Sequence, residues 1–93
     1  MIAAGNGTLL FSTGASSVHP HPMMGNICIA SAAPRNWVLN LHDVVSDQGI
    51  YVAHVPIGVW IGTGGPETQA DTIAGTYWDL HVKRDGAEHL YSA

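Results

Sequence analysis

Two short apolar runs, residues 8–13 and 50–55, lie on either side of a longer segment with helical periodicity. Neither run alternates polar with apolar residues, which is typical of strands covered on both faces in a parallel sheet. Between them, apolar side chains recur every three or four residues over 24–45, which predicts a helix. Because parallel strands must be joined by a crossover, this order predicts a βαβ unit and the α/β fold class.

The remaining elements extend this unit to one β-α-β-α domain over residues 1–93. A second helix is predicted over 69–84, with Thr68 and Asp71 placed as a capping box. Residues 87–91 form a candidate last strand. Pro34 lies inside the first predicted helix and indicates a kink there, or a helix that begins near it. We therefore expect part of a Rossmann-like, doubly wound parallel sheet with unpaired edges.

Charged residues make up only 11% of the chain, against about 25% in an ordinary soluble domain. A small domain has a high ratio of surface to volume, so the low charge predicts that some surface is covered by a partner. We expect a homo-oligomer or a piece of a larger fold. With three Lys and Arg residues and a net charge of −4, the chain lacks the basic surface that nucleic acids or anionic membranes require. The single cysteine, Cys28, indicates a cytoplasmic location.

Four segments, in this order and spacing, resemble the carboxyl-terminal part of short-chain dehydrogenases/reductases. Residues 7–17 (GTLLFSTGASS) resemble the fifth strand and catalytic-serine loop of that family, and 31–37 (SAAPRNW) resemble the stretch that begins at its catalytic lysine. Residues 49–58 (GIYVAHVPIG) resemble the sixth strand and the turn after it. Residues 71–81 (DTIAGTYWDLH) resemble a late helix.

The resemblance implies an oxidoreductase that uses NAD or NADP on a small carbonyl or alcohol substrate, here without the glycine-rich half that holds the cofactor pyrophosphate. It places Ser16 at the serine that orients the substrate oxygen, with Ser17 as the neighbouring choice. The family's catalytic tyrosine falls on Ile27 and its lysine on Ser31, so neither proton-transferring group is present. We therefore expect the chain alone to be inactive.

Cofactor contacts at the nicotinamide end are also implied by the resemblance. They fall on the turn after the second strand and on a threonine shortly beyond it, namely Ile57, Gly58 and Thr63. Trp60 lies in the loop that usually covers the substrate in this family.

Two other function classes stay open at this stage. One is a non-catalytic binding or oligomerisation module derived from the same fold. The other is a small metal-dependent hydrolase, for which His19 and His21 are candidate ligands, although no spacing in the chain matches a known metal motif. His54 lies inside a predicted buried strand, where a hydrogen-bonded core histidine is expected.

Overall fold

The computed structural model describes residues 1–92, which form a mixed α/β fold with two helices and two parallel strands. The elements are, in chain order, β1 (Gly7–Gly14), α1 (Gly25–Val45), β2 (Ile50–Ile57) and α2 (Ala70–Lys83). Strand β1 pairs with β2 in parallel, from Gly7 opposite Ile50 to Gly14 opposite Ile57. The predicted α/β class, order of elements and parallel pairing are confirmed.

The two helices pack on opposite faces of this sheet. Val38 and Val45 of α1 pack against Ile50 and Val52 of β2, with Leu9, Phe11 and Leu41 around them. On the other face, Leu80 of α2 packs with Tyr51, Ala53 and Val55. Residues 50–56 of β2 are all buried, whereas no residue of β1 is. This explains why the β2 run contains apolar side chains on both faces.

Residues 87–91, which we call the edge segment, lie along the other side of β2. Two isolated parallel bridges join His54 to Glu88 and Ile57 to Tyr91. The backbone N–H of His89 donates to the carbonyl of His54 at 2.9 Å, and that of Tyr91 donates to Pro56 at 2.9 Å. The predicted last strand is thus present as an irregular strand, and β2 occupies the middle of the sheet.

Local predictions differ from the structure at three points. Helix α1 begins at Gly25 and continues through Pro34, so its start near that proline is wrong. The capping box is also wrong, because the Thr68 hydroxyl donates to the carbonyl of Gly65 and accepts from Gly64 N–H instead. Strand β2 continues through Pro56, whose carbonyl still accepts a hydrogen bond from the edge segment. Over residues 1–92, no helix is both long and apolar enough to cross a membrane.

Gly49 allows the chain to pass from α1 into β2. It has a φ of +77°, and a Cβ at this position would lie 2.0 Å from the carbonyl oxygen of Gly5. A side chain would therefore be strained by the left-handed backbone and would also displace the segment before β1.

We expect Gly49→Ala to lower the free energy of unfolding by about 1–3 kcal/mol, measured by urea denaturation. Gly75→Ala is the matched control: Gly75 lies inside α2 with nothing near its hypothetical Cβ. Since alanine favours a helix interior over glycine, the control should be stabilised by about 0.5–1 kcal/mol. Equal stability of Gly49→Ala and the native chain would contradict the strain assigned to this turn.

Candidate functional site

A cavity of about 660 Å³ opens at the carboxyl ends of β1 and β2. Its wall is formed by the loop after β1, the first turns of α1 and the loop after β2. The structure brings five of the six residues singled out from the sequence to this wall, namely Ser16, Ile27, Ser31, Ile57 and Gly58. The sixth, Thr63, does not line the cavity, and its hydroxyl donates to the carbonyl of Trp60.

The surface of this cavity is mainly apolar, with a few polar groups. Met24, Ile61 and Trp60 line it, and the Trp60 side chain is 80% exposed. His19 and His21 lie in the loop that forms one side. An apolar concavity with a small number of polar groups at the carboxyl edge of parallel strands is the usual setting for small-molecule binding in α/β proteins.

A smaller cavity of about 360 Å³ lies at the opposite edge, beside Arg84 and Tyr51. The guanidinium of Arg84 donates to the Thr8 hydroxyl and to the carbonyls of Gly7 and Gly49. It also lies 5.6 Å from the centre of the Tyr51 ring. These contacts join the end of α2 to the starts of both strands, which is a structural role.

Behind the larger cavity, His54 is completely buried in the middle of β2. Its Nε2 lies 2.7 Å from the hydroxyl of Thr13 on β1, and its Nδ1 lies 3.0 Å from a carboxylate oxygen of Glu88 on the edge segment. Both ring nitrogens thus have partners, and the expectation of a hydrogen-bonded core histidine is confirmed.

Arg35 of α1 holds the Glu88 carboxylate from the other side. Its Nε donates to one carboxylate oxygen at 2.6 Å and its terminal nitrogen donates to the other at 3.0 Å. These hydrogen bonds from Arg35, followed by the one from His54, lower the pKa of Glu88 below its ordinary value, although partial burial opposes the shift. The same ion pair raises the pKa of Arg35. Glu88 is therefore a carboxylate at neutral pH.

At its other end, the cluster reaches the cavity wall through Thr13. The Thr13 and Ser17 hydroxyl oxygens are 2.9 Å apart, and Ser17 is buried while Thr13 lines the cavity. Ser17 also donates to the carbonyl of Gly14 at 2.9 Å. A continuous path of hydrogen bonds therefore runs from the cavity wall to α1, which we call the His54 cluster: Ser17, Thr13, His54, Glu88 and Arg35.

Sequence reasoning identified only His54 and Ser17 of this cluster. A histidine inside a buried run requires polar partners on the neighbouring elements. That signal was available, but the register that selects Thr13 and Glu88 was not. The residues that carry catalysis in the resembled family have no counterparts: Ile27 cannot transfer a proton, and Ser31 carries no positive charge. No group of three or more His, Cys, Asp and Glu side chains within residues 1–92 is arranged to hold a metal ion.

Scans against family models, curated proteins and solved structures each find no match to this chain. The relation to short-chain dehydrogenases/reductases therefore rests on the four segments quoted above.

Replacing Glu88 by glutamine tests the charge pairing within the cluster. Because the folded chain lowers the pKa of Glu88, its carboxylate stabilises the fold above the ordinary range of glutamate titration, and this stabilisation is lost as the pH falls through the lowered pKa. At neutral pH we expect Glu88→Gln to reduce the free energy of unfolding by about 1–3 kcal/mol. The difference from the native chain should shrink on acidification, as followed by urea denaturation across the pH range.

Glu67→Gln is the matched control, because the Glu67 carboxylate is exposed and forms no ion pair within the described part of the chain. It should leave the stability nearly unchanged at both pH values. A pH-independent loss in Glu88→Gln would mean that the variant removes packing rather than a charge interaction.

Proposed function

We propose that this chain is the substrate-binding half of a fold like that of short-chain dehydrogenases/reductases. It binds a small alcohol or carbonyl compound at the carboxyl edge of its sheet and does not itself transfer a proton to it. The observation that carries the proposal is the convergence of Ser16, Ile27, Ser31, Ile57 and Gly58 on one cavity. These residues were selected from four separate stretches of sequence, and the fold gathers them together.

The size and chemistry of the cavity support this choice. Its volume of about 660 Å³ lies within the range of roughly 300–1,000 Å³ that small-molecule sites occupy. Ile27, Ile57 and Trp60 offer apolar contact, while the Ser16 hydroxyl lies beside them to receive or donate one hydrogen bond. A compact, mainly apolar compound with one oxygen fits this combination.

Oxidoreduction with NAD or NADP belongs to the proposal only as ancestry, or as an activity shared with another polypeptide. A general acid contributes roughly a hundred- to ten-thousand-fold in rate, and isoleucine at position 27 supplies none. Residues 1–92 also contain no glycine-rich turn to hold a pyrophosphate. A cytoplasmic location is part of the same proposal, on the strength of the free thiol of Cys28.

The first test is ligand binding blocked by a bulky side chain. Ser31→Trp should fill the cavity from the α1 side and abolish binding of cyclohexanol, which the native chain should bind with a Kd of about 1 mM or lower. Ala33→Trp is the matched control, because Ala33 lies on the exposed face of the same helix. Both are measured by titration calorimetry. Equal binding by Ser31→Trp, or oxidation of NADPH by the isolated chain with cyclohexanone, would overturn the proposal.

A second candidate function is self-assembly through α1. Ile29, Trp37 and Val44 are 74%, 57% and 66% exposed and lie on one face of the helix, since they are spaced eight and seven residues apart. The only Arg, Lys, Asp or Glu residues in α1 are Arg35 and Asp43. An apolar helical face of this kind favours association with a second copy.

We expect light scattering to find an oligomer for the native chain and a monomer for Trp37→Glu, because a buried unpaired charge opposes association. Trp78→Glu serves as the control, since Trp78 is also an exposed tryptophan but lies on α2. A native chain that stays monomeric at high concentration would rule out this second function.

A further inference from the structure

The His54 cluster determines which hydrogen atoms remain available at the cavity wall, and this inference rests on the ligand binding proposed above. Glu88 is a carboxylate paired with Arg35, so it can only accept hydrogen bonds. The His54 nitrogen beside it, Nδ1, must therefore carry a proton. In a neutral imidazole the other nitrogen, Nε2, is then an acceptor.

This tautomer fixes the direction of the next hydrogen bond. Thr13 has one hydroxyl hydrogen, and it must donate that hydrogen to Nε2, which lies 2.7 Å away. Ser17 has one hydrogen as well, and the carbonyl of Gly14 and the Thr13 oxygen are its two acceptors. Both hydroxyl hydrogens are thus used inside the protein, and only lone pairs are left on the Thr13 oxygen.

We propose that Thr13 makes the cavity selective for ligands that donate a hydrogen bond, so that it binds an alcohol in preference to the ketone of the same shape. An alcohol O–H completes the vacant acceptor position on Thr13. A ketone oxygen at the same place meets lone pairs without a hydrogen between them, and the desolvated Thr13 oxygen gains no partner. Thr13 is on this account a specificity-determining residue, and His54 and Glu88 are positioning residues behind it.

The test compares cyclohexanol with cyclohexanone, which have the same carbon ring and differ in the O–H donor. Calorimetry in mildly alkaline buffer keeps the free imidazole groups neutral, including those of His19 and His21 at the cavity. We expect the native chain to bind the alcohol about tenfold more tightly, in keeping with one hydrogen bond gained. Equal affinities would overturn the inference and leave the binding function intact, whereas no binding of either compound would remove the function itself.

Variants at Thr13 and Ser16 identify the group responsible. Thr13→Val has nearly the same shape without a hydroxyl and should bind both compounds equally, while Thr13→Ser keeps the hydroxyl and should restore the preference. Ser16→Ala should leave the preference unchanged, because Ser16 lies outside the cluster. A preference that survives in Thr13→Val would assign the selectivity to another group and contradict the inference.

A spectroscopic measurement tests the tautomer without any ligand. Long-range proton–nitrogen NMR spectra of the native chain should show His54 protonated at Nδ1 and unprotonated at Nε2. Thr13→Ser should give the same pattern, since its hydroxyl still donates to Nε2. A proton on Nε2 in the native chain would free the Thr13 hydrogen for the cavity and would overturn the proposed selectivity.

Discussion

The burial of one histidine in the central strand is the constraint that links the parts of this fold. β2 is covered by α1 on one face and α2 on the other, with β1 and the edge segment along its two sides. At His54 this enclosure is complete, so both ring nitrogens need partners within the protein. β1 provides Thr13 and the edge segment provides Glu88, while α1 supplies Arg35 to neutralise the carboxylate. Every element around β2 except α2 thus contributes to one polar cluster.

This arrangement explains why the cavity has a defined wall in such a small chain. The edge segment forms only two isolated bridges with β2, which is little backbone pairing for a strand. The charged contacts of Glu88 supplement that pairing, and the Tyr91 hydroxyl donates to the carbonyl of Glu67 in the loop before α2. The segment therefore ties β2 to the loop that carries Trp60. A change in the cluster should be felt at the cavity through both Thr13 and this loop.

Much of the fold follows from apolar patterning. The runs at 8–13 and 50–55 predict buried parallel strands because they lack alternation, and the segment between them has the periodicity and length of a crossover helix. Gly49 was expected to end that helix, and its positive φ agrees with this role. The path of α1 through Pro34 was less predictable, since the helix is stabilised by packing on the sheet, which outweighs local propensity.

The site was predictable to the extent that it lies at strand ends. Residues after parallel strands meet at one edge, which accounts for the meeting of Ser16 with Ile57 and Gly58. The role of Glu88 could not be predicted in this way, because it depends on the register of an irregular edge segment with few sequence signals. The partner of His54 on β1 likewise depends on which Thr or Ser faces α1 at that level of the sheet.

The central claim is that a hydroxyl compound binds at the carboxyl edge against Thr13. Intermolecular nuclear Overhauser effects between cyclohexanol and the methyl groups of the chain locate the ligand directly. The account predicts effects to the methyl groups of Thr13, Ile27 and Ile57, which line one cavity. Effects confined to the opposite edge, at Ile50 beside Arg84, would contradict it.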